Sequence, residues 1–374
     1  MKYYLVAGEA SGDLHASYLI AAIKKHDPHA DIRGWGGDLM EKEGMALVRH
    51  YKETAYMGFV EVLANLRSVA GNIKECKNDI LQFQPDALIL VDYPGFNLRI
   101  AKFAKKQGFN VFYYIAPKAW AWKKSRGYKL KKSVDKLYSI LPFEKAFFNE
   151  FDIDTEYVGN PLMDQLSLDS SRQAYEAFLQ ENNLIFKPII SLFPGSRKQE
   201  IESIFPDMLE VSRLHPDYQF VVGGAPSQEM KIYQKHMKEE NIPVLFGKGQ
   251  DLMKYSKAAL ITSGTATLEA ALLNLPQVIC YKGNRISIEI ARRVVKIKYI
   301  GLANLIMDKP VIPELIQEDM TIERMNRELD LMLHDRLRRE QLFSDYELLR
   351  KRVGGPGASE KVANSIISFL KNIR

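Results

Sequence analysis

Short apolar runs recur along the chain at Tyr3 to Ala7, Ala87 to Val91, Val111 to Tyr114 and Lys136 to Ile140, with helical periodicity between them. A second series follows at Ile189 to Phe193, Gln219 to Val222, Val244 to Phe246, Ala259 to Ile261 and Gln277 to Cys280. Runs without a polar face read as strands buried on both sides, and strands alternating with helices pair in parallel through right-handed crossovers. Two such series predict an α/β protein of two Rossmann-like parallel-sheet domains facing a cleft. The periodicity breaks in "GNPLMDQLSLDSSRQ", residues 159–173, which places the domains at 1–165 and 166–353. After "VGGPGA", a final amphipathic pattern within 354–374 reads as a crossover helix. It either returns to the first domain or exchanges with a second copy, which would make a homodimer.

A length of 374 residues exceeds what one core fills, and 46% hydrophobic with 26% charged residues excludes bulk disorder. The excess of 52 Lys and Arg over 46 Asp and Glu suits an anionic partner without saying which. Cys76 and Cys280 fit neither a disulfide framework nor a zinc site, which points to a reducing compartment. The start "MKYYLVAGEASGD" lacks a signal-peptide core and no window reaches a spanning length. The expectation is a cytoplasmic protein that meets a membrane only peripherally.

Four loops carry candidate chemistry. Asp92 ends the run "ALILV" and precedes Pro94-Gly95, so its carboxylate belongs at the carboxyl end of a parallel strand, where open sheets bind ligands. The first strand leads into "AGEASGD", where Gly8, Glu9, Ser11 and Gly12 permit close approach of a ligand to the backbone. In "IISLFPGSRKQEI", Gly195, Ser196 and Arg197 join a strand to a helix. Helix-start amides, a hydroxyl and a guanidinium there suit a diphosphate. In "LITSGTATLEAALLNLPQV", Ser263, Gly264, Thr265, Ala266 and Thr267 repeat that architecture, and Glu269 offers a carboxylate for vicinal ribose hydroxyls. Against these stand plainer readings, a tight turn for the first loop and helix capping for Thr265, Thr267 and Glu269.

Other signals are weaker. Asp152-Ile153-Asp154 resembles a D-x-D metal motif but falls in a turn, and His15 is a lone histidine. A helical stripe begins at Phe59, Val62, Leu63 and Leu66 and continues to Ile73, with Arg67, Lys74 and Lys77 elsewhere on the helix. It reads as a core face or as an apolar edge touching lipid. Lys123 and Arg126 follow "AWAW" and suit a phosphate by charge alone.

"VAGEASGDLHA", "VDYPGFNLRIAK", "YIAPKAWAWKKSR", "LFPGSRKQEI", "SGTATLEAALLNLPQV" and "YIGLANLI" stand in the order and spacing of one family. The chain resembles the lipid-A-disaccharide synthases, glycosyltransferases of the GT-B type, from residue 3 to about residue 371. The resemblance implies transfer from UDP-2,3-diacylglucosamine to 2,3-diacylglucosamine 1-phosphate (lipid X), with inversion, no metal and no other cofactor. It implies Asp92 as the essential aspartate, Ser196 and Arg197 at the diphosphate, Ser263 to Glu269 at the nucleotide, and Asn304 returning toward the active site. It also implies the cytoplasmic face of the inner membrane as the workplace, with no nucleic-acid partner. The chain departs from the family pattern at Gly95, where a second Asp is usual, and at Asn160, Ala116 and Lys118. The rivals are a UDP-sugar 2-epimerase, a transferase with another lipid acceptor, and a UDP-sugar sensor in which Asp92 only caps a helix.

Overall fold

The computed structural model describes residues 1–54, 66–122, 125–166, 171–237, 241–283 and 298–373. The chain divides into two compact units, one of Met1–Asp164 with Gly354–Arg374, the other of Gln165–Val353.

The first unit holds a seven-stranded sheet in the order β3-β2-β1-β4-β5-β6-β7. Its strands are β1 (Lys2–Ala7), β2 (Asp31–Gly36), β3 (Ala46–His50), β4 (Ala87–Val91), β5 (Val111–Tyr114), β6 (Lys136–Ser139) and β7 (Thr155–Tyr157), and every pairing is parallel. The side chains of β4 are buried along its whole length, as an unbroken apolar run in a covered sheet requires. β2 and β3 escape the hydrophobic pattern because "DIRGWG" and "ALVRH" carry charges in strands on the outer side of the sheet. Gly34 is needed in β2, where φ is +157° and a Cβ would lie 1.9 Å from the Leu5 carbonyl oxygen of β1.

Helices α1 (Ala10–His26), α2 (Leu66–Phe83) and α3 (Pro94–Lys106) cover this sheet. The terminal helix, Ala358–Asn372, returns to the same unit and packs on α1, burying Val362, Ala363, Ile366 and Leu370 in the core that holds Leu5 and Ile89. The Asp164 carboxylate accepts from the first amides of that helix, at 3.3 Å from Ala358 and 3.2 Å from Ser359. A negative charge at a helix N-terminus also complements its dipole.

The second unit has six parallel strands in the order β10-β9-β8-β11-β12-β13. They are β8 (Ile189–Phe193), β9 (Gln219–Gly224), β10 (Val244–Phe246), β11 (Ser256–Thr262), β12 (Gln277–Tyr281) and β13 (Glu314–Ile316). Helix α4 (Lys198–Arg213) follows β8, α5 (Thr265–Leu272) follows β11, and α6 (Leu302–Met307) precedes β13. In both sheets the first strand sits inside, with its successors running outward on one side and the fourth strand on the other. The order therefore reverses between β1 and β4, and again between β8 and β11, and such reversals open a crevice at the strands' carboxyl ends. No described helix is long and apolar enough to cross a membrane.

Candidate active site

In the first unit the reversal point holds the loops after β1 and β4. Asp92 follows β4 directly, with its amide donating to the Tyr114 carbonyl at 3.0 Å and its side chain half-buried. Asp92 and Tyr93 both take left-handed backbone conformations, with φ of 44° and 46°. Two successive non-glycine residues there cost on the order of 1–3 kcal/mol each, so the surroundings must hold them. Asn97, fully buried on α3, does so: its amide donates to the carbonyls of Asp92 at 2.9 Å, Val91 at 3.2 Å and Val6 at 3.3 Å. The Tyr113 hydroxyl donates to the same Asp92 carbonyl. On the other side, Gly8 leaves room for the Tyr93 ring, which a Cβ would meet at 2.3 Å. The loops of Gly8 and Asp92 are thus one packed assembly. Asn97 and Tyr113 give no signal in the sequence, because a polar residue inside a helical or strand run carries no motif.

The rest of the first loop is divided in role. Glu9 and Ser11 are exposed, and Gly12 is buried with its Cα face near Ala7. Asp13 is structural, accepting from the amides of Gly37 at 2.8 Å, Met40 at 3.1 Å and Leu39 at 3.2 Å. His15 is buried, and desolvation lowers its pKa to about 4, against the pull of Asp164. It is neutral near pH 7, which suits a structural histidine. Asp152 sits in a left-handed turn and pairs with Lys131 at 2.7 Å, so the D-x-D reading gives way to a turn. Asn160 is also internal: its oxygen accepts from the Leu162 amide at 3.0 Å.

Glu144 is a further buried group that carried no sequence signal. Fully inside, it accepts from the Trp120 indole at 3.0 Å and from the amides of Ile140 and Leu141, each at 3.1 Å. It thereby ties the "AWAW" segment to the end of β6. Burial raises its pKa to about 7, despite those hydrogen bonds and the nearby Lys118 charge. The folded protein therefore keeps a proton that the unfolded chain has lost, and the resulting stabilisation is full below 4.5 and lost as pH rises through 7. A shift of this size corresponds to roughly 3 kcal/mol. Urea-unfolding free energies should fall with pH across that window, and Glu144→Gln should flatten the fall. An unchanged slope would show that other groups set it.

In the second unit the reversal point holds the loops after β8 and β11. Gly195 has φ +118°, and a Cβ there would lie 2.6 Å from the Glu200 carboxylate. That carboxylate accepts from the amides of Ser196 at 3.1 Å and Arg197 at 3.2 Å. These are the helix-start donors expected to meet phosphate, and they are already engaged. An acid three residues after the cap position reaches back to its amides. An anion role for this loop rests on the Ser196 side chain and on Arg197, whose guanidinium is 73% exposed and 3.6 Å from Glu200. Gln228 steadies the loop by donating to the Ser196 carbonyl at 2.9 Å.

After β11, Gly264 precedes α5, Thr265 is exposed and Ala266 half-buried. The Ser263 hydroxyl donates to the Ile300 carbonyl at 3.3 Å. Thr267 is fully buried, with its hydroxyl donating to the Gly264 carbonyl at 2.8 Å inside the turn that starts α5. Glu269 is half-buried, desolvation raises its pKa, and a hydrogen bond with Gln250 opposes that rise. Asn304 lies further along, on α6. It is fully buried, its amide donates to Ile312 and Glu314, each at 2.8 Å, and its oxygen accepts from the Ile312 amide at 2.9 Å. Its side chain ties α6 to Ile312 and to the start of β13.

Phe59, Val62, Leu63 and Lys123 lie outside the described residues, as do the side chains of Leu66 and Arg126. Further along α2, Ile73 packs against the core and Cys76 and Ile80 are buried, whereas Ala70 is exposed. The end of the stripe at Ile73 thus faces the core, and that core face of α2 continues through Cys76 and Ile80. Cys76 and Cys280 are both buried free thiols. Among the described residues no group of three or more His, Cys, Asp or Glu is placed to hold a metal ion.

Two Rossmann-like parallel-sheet units of this topology make a fold of the GT-B type. Solved structures agree in fold. UDP-GlcNAc 2-epimerase from Neisseria meningitidis has a TM-score of 0.72 at 12% identity, over 98% of this chain and 100% of that one. A calicheamicin glycosyltransferase has a TM-score of 0.60 at 13% identity, over 98% of both. The sequence profile described as lipid-A-disaccharide synthetase matches residues 3–364, and the chain belongs to that family. The lipid-A-disaccharide synthase of Geobacter metallireducens is 36% identical over 99% of this chain and 97% of its own length. That of Myxococcus xanthus is 34% identical over 99% and 97%. The activity is accordingly that of a lipid-A-disaccharide synthase, a glycosyltransferase whose substrates are a UDP-sugar and lipid X.

Proposed function

We propose that Asp92 is the general base of this transfer. It takes the proton of the acceptor's 6-hydroxyl as that oxygen bonds to the anomeric carbon of UDP-2,3-diacylglucosamine. The carbon's bond to UDP breaks on the opposite face, UDP leaves with the electron pair, and the linkage formed is β-1,6. The observation that carries the reading is the strained, clamped position of Asp92 at the reversal point of its sheet, beside the Gly8 to Gly12 loop. A single displacement needs one base, unlike the carboxylate pair of a glycosidase. Acceptor-dependent UDP release by the purified protein tests the reading, and release without acceptor would move it to the epimerase.

Ser196 and Arg197 are assigned to the departing diphosphate, without a metal, and Ser263 to Ala266 to the nucleotide. Glu269, held by Gln250, is assigned to the ribose hydroxyls. Hydrogen bonds to a charged partner contribute about 1.5–3 kcal/mol, so Glu269→Ala should raise the donor KM roughly ten- to hundredfold with a smaller change in kcat. An unchanged KM would return Glu269 to its role as a helix residue.

Phe59, Val62, Leu63 and Leu66 are assigned to contact with the cytoplasmic face of the inner membrane, supported by their shared stripe, and Lys123 and Arg126 to the acceptor phosphate. Exchange of the terminal helix across the left-handed glycines Gly354 and Gly357 would give a homodimer, which a sedimentation mass checks.

A further inference from the structure

The amino ends of the strands in the second unit, opposite its nucleotide loops, carry a feature that transfer does not use. Ile185 and Phe186 precede β8 and are 62% and 76% exposed. They are not on a loose loop. The Gln219 side chain accepts from the Ile185 amide at 3.0 Å and donates to its carbonyl at 3.1 Å, closing a two-point clamp. The Leu184 amide is fixed to Leu179 at 2.9 Å. The chain thus holds two large apolar side chains out in water, where burying each would be favourable.

Beside this tip lies a cavity of about 460 Å³, with Phe186 in its wall. Arg172, Lys187, Lys254 and Lys257 line it together with the rings of Tyr175 and Tyr255, and no described lining residue is acidic. Arg172 is paired with Glu176 at 2.8 Å, and Lys187 donates to the Pro216 carbonyl, which leaves its charge in place. The Lys254 ammonium sits 5.0 Å from the centre of the Tyr255 ring, and Lys257 is exposed. An apolar tip ringed by cations and tyrosines matches an anionic bilayer surface in each part. The tip enters the acyl boundary, the tyrosines take the interface, and the lysines face phosphate head groups.

We propose that this surface is a membrane contact belonging to the second unit, with anionic lipid as its partner. It extends the reading that the protein works at a membrane, and it is independent of residues 59–66. The test is cosedimentation of the full chain with vesicles of phosphatidylglycerol and phosphatidylcholine in equal parts, and with phosphatidylcholine alone. The parent should prefer the anionic vesicles. Lys254→Ala/Lys257→Ala should weaken that binding about fivefold per lysine. Ile185→Ser/Phe186→Ser should weaken it by about tenfold or more. Both variants should keep parental turnover on detergent-dispersed substrates, which also reports that they fold. Parental vesicle binding by both variants overturns the proposal. So does loss of all binding in Phe59→Ser/Leu63→Ser alone, which leaves the membrane reading standing. Loss in the tip and lysine variants but not in that one supports the second-unit contact and removes the first. Binding that free inorganic phosphate abolishes while the tip variant binds normally assigns the lysines to a small anion and also overturns it.

Discussion

Replacing Asp92 by asparagine should lower kcat by roughly two to four orders of magnitude, the contribution of a positioned base to proton transfer. Asparagine keeps the shape and tolerates the left-handed backbone that Asp92 adopts, so the strained turn should survive. The Asn97 and Tyr113 hydrogen bonds are to the Asp92 carbonyl, not its carboxylate, and they remain in the variant. Unfolding free energy should therefore stay near the parental value, and UDP affinity should not move. A variant that keeps parental turnover would remove Asp92 as base. One that loses stability along with activity would make it a structural residue.

Asn97→Ala supplies the contrast. It removes a donor shared by three carbonyls, and leaving buried acceptors unsatisfied costs about 1–3 kcal/mol each at most. Stability should fall with kcat, as measured by urea unfolding beside the activity assay. Equal stability would mean that Tyr113 and the Gly8 contact hold the turn by themselves.

What could be read in the sequence divides along physical lines. Strands covered on both faces announced themselves as apolar runs, which is why β4, β5, β8 and β12 were legible. β2 and β13 were not, because strands toward the outside of a sheet need no continuous apolar face, and "DIRGWG" and "ELI" carry charges there. Loops at the strand ends were legible through glycine, proline and hydroxyl residues, so Asp92 and Arg197 stood out. The fate of individual polar groups was not, since it depends on partners distant in sequence. The Asn304 amide is held at both ends by Ile312 and Glu314, and the Thr267 hydroxyl by the Gly264 carbonyl. Glu144 and Gln250 gave no signal because their meaning comes from Trp120 and Glu269, residues 24 and 19 positions away.

Arg197→Ala should cost more than the loss of one cation. The Glu200 carboxylate is fixed at the amides of Ser196 and Arg197 and lies 3.6 Å from the guanidinium. In the proposed assignment, the donor diphosphate meets a site in which that negative charge is offset by Arg197. Without it, the same carboxylate confronts the diphosphate, and like charges brought together without compensation oppose binding. The effect should grow as charge moves onto the departing β-phosphate, so kcat should fall along with donor affinity, by roughly a hundred- to a thousandfold. A change confined to KM would limit Arg197 to ground-state binding. The Glu200 contribution separates in a double substitution. Arg197→Ala/Glu200→Gln keeps an oxygen to accept from the two amides and removes the charge, so it should recover part of the activity that Arg197→Ala loses. Glu200→Gln alone should change turnover little, because with Arg197 present the Glu200 charge is already offset. Neighbouring sites of this kind couple by about 0.5–3 kcal/mol, and a coupling of zero would mean that Glu200 only caps its helix and never opposes the donor.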